Sequence, residues 1–152
     1  MQNLIQVETQ MLIRKPVEVV FNAFIDASIT TKFWFSRSSG NLETGKKITW
    51  YWDTYAVSDE IEVLKIQPNV LISIQWDNLS TTVDFHFRAI SSDSTYVVIN
   101  NYGFKEEGDA LIEAIKNNTG GFTTVLDGLK AYLEFGIELN LVRDKFLRKS
   151  SI

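Results

Sequence analysis

Apolar and polar residues alternate at positions 5–13, with Ile5, Val7, Thr9, Met11 and Ile13 on the odd positions and Gln6, Glu8 and Gln10 between them. A period of two predicts a strand with one face in the core and one in water. Lys15-Pro16 ends it. Proline fits the first position of a helix because its φ is preset and its missing N–H needs no partner there, and Glu18 suits the positive helix start. Val17, Val20, Phe21 and Phe24 then recur at i, i+3, i+4 and i+7, which predicts a helix ending near Asp26. A short helix or turn at 29–35 carries Phe33-Trp34-Phe35.

Beyond the Ser38-Ser39-Gly40 and Thr44-Gly45 breaks, strand-like patterns occupy 47–55, 57–66, 70–76, 81–90 and 95–102. The segments between them, Gln67-Pro68-Asn69, Asp77-Asn78 and Ser91-Ser92-Asp93-Ser94, have turn-forming composition. Short connections favour an antiparallel meander. The chain then changes period. Leu111, Ile112, Ile115, Phe122, Val125, Leu126, Leu129 and Leu133 fall on one side of a helix over 109–136, about 40 Å long at 1.5 Å per residue. Asn117-Asn118-Thr119-Gly120-Gly121 has poor helix propensity, and a kink or short break is expected there. Strand, helix, strands and long terminal helix make a single α+β domain over 1–152. The order predicts a helix-grip fold, a curved antiparallel sheet around the C-terminal helix, with 140–152 as a partly flexible tail.

Composition narrows the function. The chain has 152 residues, ten Phe and four Trp, so any internal space has bulky walls. Its formal net charge of −4 argues against nucleic acid and anionic lipid as partners. Arg143, Lys145, Arg148 and Lys149 make the one basic concentration, diluted by Glu138 and Asp144, and are expected to be solvated. Cysteine is absent, which excludes disulfides, thiolate metal sites and a cysteine nucleophile. The N-terminus lacks the unbroken apolar run of a signal peptide, and no segment is long enough to span a bilayer, so a cytoplasmic protein is expected.

Candidate chemistry is sparse. Trp50 and Trp52 share a strand face, and Trp76 from a nearby strand can join them with Trp34. Indoles combine apolar area with one N–H donor, which suits an amphipathic ligand. Val83, Phe85 and Phe87 share the face that meets the terminal helix, opposite Leu111, Ile115, Phe122, Leu126 and Leu129, and could line a cavity of a few hundred Å³. Phe33, Trp34 and Phe35 would form its mouth. The same residues could equally pack solid, since apolar patterning does not distinguish a space from a filled core. Asp84, His86 and Arg88 lie on the opposite face and read as a solvated stripe. Glu60 and Glu62 share a side without Asp59, too few for a hard cation, and one His with no Cys makes zinc improbable. No phosphate loop or nucleophile elbow is present, so no catalytic set, metal or cofactor is assigned. Asp53, Tyr55, Asn101 and Tyr102 are the polar residues that could project inward.

Particular stretches carry a family likeness. They are residues 13–24 (IRKPVEVVFNAF), Phe33-Trp34, residues 40–45 (GNLETG), Trp50, Trp76 and residues 121–134 (GFTTVLDGLKAYLE). Together they resemble the START-like, SRPBCC or birch-pollen-allergen-like superfamily, and within it bacterial proteins similar to the activator of heat-shock-protein-ninety ATPase. The resemblance implies a sheet gripping the C-terminal helix, with an apolar or amphipathic small molecule between them. It also implies two alternatives, an interaction module that modulates a chaperone or other ATPase, and a cyclase- or hydrolase-type enzyme. A monomer or homodimer is expected. Two departures matter. Gly121-Phe122 stands where the family commonly has Gly-Trp, and the separate N-terminal module of eukaryotic chaperone activators is not expected, so ATPase stimulation does not carry over by likeness.

Overall fold

The computed structural model describes residues 5–147. Strand β1 (Val7–Ile13) leads into helices α1 (Val17–Ile25) and α2 (Ala27–Thr30). Six strands follow: β2 (Arg37–Ser38), β3 (Lys47–Trp52), β4 (Val57–Gln67), β5 (Leu71–Trp76), β6 (Thr81–Ser91) and β7 (Ser94–Tyr102). Helices α3 (Gly108–Phe135) and α4 (Leu141–Asp144) end the described chain. All strands pair antiparallel in one sheet of order β1-β7-β6-β5-β4-β3-β2. Strands β2 to β7 are thus a meander, and β1 closes the far edge beside β7. This is an α+β helix-grip architecture.

Alternation decides which side chains are inside. Trp50, Ile61, Val63, Ile72, Ile74, Val83, Phe85, Val97 and Ile99 are all buried on the concave face. Cross-strand partners such as Ile74 with Val83 and Phe85 with Ile99 keep this face continuous. Helix α1 adds Val20, Phe21 and Phe24 at their helical spacing. Phe24 packs its ring 5.1 Å from that of Phe85, and Phe21 lies 5.3 Å from Phe87.

Helix α3 is fixed mainly along β1. Thr9 Oγ1 and Thr123 Oγ1 lie 2.9 Å apart, Lys130 Nζ donates to the Leu12 carbonyl at 2.8 Å, and the Arg14 N–H donates to Glu134 Oε2 at 2.8 Å. Phe122, Val125, Leu126 and Leu129 are buried beneath it. The helix runs unbroken through 117–121, so the short break allowed for there does not form. Thr119 and Thr124 hydroxyls back-bond to the Ile115 and Gly120 carbonyls at 2.7 and 2.8 Å. Packing of the apolar stripe then outweighs weak local propensity.

Other expectations shift at element ends. The strand expected through 55 stops at Trp52, because Asp53–Tyr55 turns as a 3-10 helix closed by Ala56 at φ 53°. The helix or turn expected at 29–35 is present but starts earlier: α2 begins at Ala27, where the Asp26 carboxylate accepts from the Ser28 N–H at 3.0 Å, and continues as a turn through Phe33, whose N–H donates to the Thr30 carbonyl at 3.1 Å. Strand β2 was too short to show a period. Ile112, expected on the buried side of α3, is 66% exposed. Within the expected tail, Leu141–Asp144 forms α4, while Arg148 and Lys149 lie outside the described residues.

Candidate functional site

The site starts from the turn after α2. Gly128 on α3 has no side chain, and a Cβ there would come 3.2 Å from the Phe33 carbonyl oxygen and 3.3 Å from the Phe33 Cβ. That close approach lays the Phe33-Trp34-Phe35 segment against the helix. The Trp34 ring then meets Trp50 at 4.8 Å, Trp76 at 5.9 Å, and Phe85 and Phe122 at 6.0 Å. Phe35 stacks on Trp50 at 4.6 Å with 19° between the planes. Such tilted and offset ring pairs are favoured over direct face-to-face stacking.

Beside this cluster, on the flank of α3 away from β1, a cavity of about 210 Å³ opens. Trp52 and Trp76 form its sheet side, joined by Trp34 from the segment after α2 and Tyr55 from the 3-10 turn. Asn118, Gly121, Phe122 and Val125 form the helix side, recurring at i, i+3, i+4 and i+7 on a single face. Val142, Lys145 and Phe146 from the C-terminal segment cover one end. A smaller cavity of about 120 Å³ lies on the other side of Trp34 and Trp52, where Phe33 and Phe35 meet residues 138–143.

The residues singled out from the sequence therefore separate. Trp34, Trp52, Trp76 and Phe122 line the larger cavity, and Phe33, Trp34, Phe35 and Trp52 line the smaller one. Trp50, Val83, Phe85, Phe87, Leu126 and Leu129 are buried in the packed core and line neither. Leu111 and Ile115 are half-buried near the start of α3 and also line neither. Sequence reasoning missed Asn118, Gly121, Val125, Val142, Lys145 and Phe146 as wall residues. The spacing of the first three around Phe122 was a usable signal, obscured because 117–121 reads as a helix breaker.

Tyr55 joins the two sides. Its hydroxyl lies 2.7 Å from the Val142 carbonyl oxygen and 2.8 Å from that of Arg143, and it accepts from the Phe146 N–H at 3.2 Å. Its ring also meets Phe146 edge-on at 6.2 Å. One side chain thus holds α4 over the cavity.

Asn101 is fully buried on the concave face. Its Nδ2 donates to Thr81 Oγ1 at 3.2 Å and to the Thr82 carbonyl at 2.9 Å, and its Oδ1 accepts from Asn118 Nδ2 at 3.2 Å. The other polar candidates lie elsewhere. Tyr102, one residue on, faces the outer surface and donates to Asp84 Oδ2 at 2.9 Å. Burial and then the Asp84 carboxylate push its pKa up to about 12. Asp53 is exposed and paired with Arg37 at 3.1 Å. Asp84 also accepts from Ser73 Oγ at 2.6 Å, and His86 and Arg88 are exposed.

Asp59 is buried, accepting N–H groups from Asp77 and Asn78. These two residues and Leu79 have φ of 57°, 53° and 69°, so the carboxylate pins a left-handed turn. Burial raises its pKa in spite of those bonds. Among the described residues no group of three or more His, Cys, Asp or Glu could hold a metal ion, and no helix is long and apolar enough to cross a membrane.

Residues 14–134 match the family described as Activator of Hsp90 ATPase homolog 1-like protein. No curated protein matches the chain. Among solved structures, the chain is similar to protein SSP2350 from Staphylococcus saprophyticus, at 28% identity and TM-score 0.77, over 89% of this chain and 96% of that one. It is similar in fold to a protein of Colwellia psychrerythraea described as an Aha1 dimer, at 19% identity and TM-score 0.73, over 88% and 98% of the two chains. The same holds for PFC0360w of Plasmodium falciparum, described as an HSP90 activator, at 21% identity and TM-score 0.64, over 86% and 96%.

Proposed function

The chain belongs to the Activator of Hsp90 ATPase homolog 1-like family, and we propose that this member binds a small apolar or amphipathic molecule between its sheet and α3. One observation carries this reading, the cavity of about 210 Å³ walled by Trp34, Trp52, Trp76, Phe122 and Val125. Apolar walls with few polar groups are what small-molecule sites share. Binding is favoured over catalysis because the polar candidates are otherwise engaged. Tyr55 holds α4, Tyr102 and Asp53 lie away from the cavity, and the Asn101 amide is a poor proton acceptor or donor for acid–base chemistry. Native mass spectrometry of gently purified protein, with extraction and identification of any adduct, tests the reading. A stoichiometric small-molecule adduct supports it. An apo mass that persists when small apolar probes are added contradicts it.

A second reading, a protein partner, is supported by the family's name and by the run of exposed apolar side chains at Phe135, Ile137, Leu139, Phe146 and Leu147. Exposed apolar groups in such numbers commonly mark an interaction surface. A chaperone of the Hsp90 type is the partner this reading names, with a second copy of the chain as the alternative. An unchanged chaperone ATPase rate on adding the protein, together with no chaperone recovered in a pull-down, rejects the first. A monomeric mass by light scattering rejects the second.

A further inference from the structure

Resting on the ligand-site reading above, we propose that the larger cavity takes a compact apolar carboxylate about one ring in size, its carboxylate held by the Lys145 ammonium and the Asn118 side-chain amide. Size comes first. At about 210 Å³ the space falls below the roughly 300–1,000 Å³ of drug-sized sites. A dry cavity of about 150 Å³ already accepts benzene. A single ring with a short substituent fits; a long acyl chain does not.

The walls are continuous aromatic surface. Trp76 packs on Phe122 at 5.4 Å and meets Trp52 edge-on at 6.0 Å, so the sheet and helix sides of the cavity join in direct ring contact and the ligand lies against that surface. Gly121 adds a gap in the helix wall, since a Cβ built there meets nothing within 4 Å.

Polarity is concentrated in two side chains. The Tyr55 hydroxyl is engaged with α4. Asn101 spends its amide nitrogen on Thr81 and Thr82, so its oxygen must be the acceptor for Asn118, which fixes which end of the Asn118 amide turns toward Asn101. A side-chain amide nitrogen carries two hydrogens, and that bond uses one. The other has no partner among the described residues and is available to a ligand acceptor.

Lys145 lines the same cavity, and its Nζ lies 3.8 Å from where a Cβ on Gly120 would stand. The ammonium therefore sits over α3 at Gly120, one residue before the wall residue Gly121, and 5.9 Å from the centre of the Phe146 ring. No carboxylate of the described residues forms an ion pair with it; the pairs are Arg37–Asp53, Lys46–Glu43, Lys116–Glu113 and Lys130–Glu134. The chain as a whole is acidic, at −4, so this cation belongs to one local basic stretch, with Arg143 two residues before it, and not to a general basic surface. A carboxylate completes the arrangement, with one oxygen toward the ammonium and one toward the amide N–H. A phosphate monoester, with more charge and more acceptor oxygens, would be left short of donors.

The test compares phenylacetate with its neutral, shape-matched amide, phenylacetamide, by calorimetry and by the indole N–H signals in nitrogen-15 correlation spectra. Wild type should bind the acid about tenfold more tightly than the amide, a charge-assisted contact of ordinary strength. Lys145→Gln should remain folded and bind the acid no more tightly than the amide. Equal affinities in wild type, or a preference that survives in Lys145→Gln, would overturn the carboxylate assignment while leaving the cavity a ligand site. If phenylacetate, phenylacetamide and toluene all leave the indole signals unmoved, the ligand-site reading itself falls and this inference with it.

Discussion

The hydroxyl of Tyr55 lies 2.7 Å from the carbonyl oxygen of Val142, 87 residues further along the chain, and this bond fastens the C-terminal segment across the cavity. Tyr55→Phe keeps the ring that packs on Phe146 and removes only the hydroxyl. The expected loss is about 1 kcal/mol of stability, the net contribution of an ordinary hydrogen bond. The larger effect is local. Backbone amides at 141–147 should exchange with solvent faster while those of the sheet are unchanged, as measured by hydrogen–deuterium exchange.

Two glycines on α3 should respond oppositely to the same substitution. At Gly121 an added Cβ meets only open space. Gly121→Ala should therefore gain up to about 1 kcal/mol from helix propensity alone. Gly121→Leu should place its side chain in the cavity and abolish small-molecule binding in a protein that still folds. Thermal midpoints and ligand titration of the two variants check this.

At Gly128 the helix rests on the Phe33 backbone, with a notional Cβ 3.2 Å from the carbonyl oxygen. Backbone cannot swing aside as a flexible side chain can. Gly128→Ala should destabilise by about 1–3 kcal/mol in spite of its better helix propensity, the usual penalty for overpacking. Equilibrium unfolding in denaturant measures it.

Glu134 ties α3 to the end of β1. Burial pushes its pKa up, but the Arg14 N–H and the Lys130 ammonium outweigh that and hold it below the ordinary 4.5. A carboxylate with a lowered folded pKa stabilises fully above its unfolded pKa and loses that contribution as pH falls through the folded value. Glu134→Gln should therefore be less stable than wild type at neutral pH. The gap should narrow once the pH drops below the carboxylate range, as unfolding curves at both pH values would record.

Much of this was legible from the sequence where a period ran long enough. The alternation of Val7 to Ile13, the helical spacing of Val17 to Phe24 and the strands ending at Trp76 and Tyr102 all appear near their expected positions. What the sequence did not disclose is where packing stops short of filling space. Trp50 and Trp52 share a face, yet Trp50 is 2% exposed in solid core and Trp52 lines the cavity. The difference arises from long-range placement: Phe35 stacks on Trp50, whereas Trp52 reaches the space beneath α4. The wall residues Asn118 and Gly121 were hidden for a related reason. Local propensity describes a broken helix at 117–121, and only the contacts with Asn101 and the buried stripe show it to be continuous.

Three of the four tryptophans line the cavity and the fourth does not, which supplies an internal control for the central claim. Their indole N–H resonances can be followed together while a small apolar ligand is added. Binding between the sheet and α3 predicts the largest, saturable shifts at Trp34, Trp52 and Trp76, with Trp50 moving least. Shifts that are largest at Trp50 or scattered over the outer sheet face, or none at saturating ligand, would contradict a binding site in this cavity.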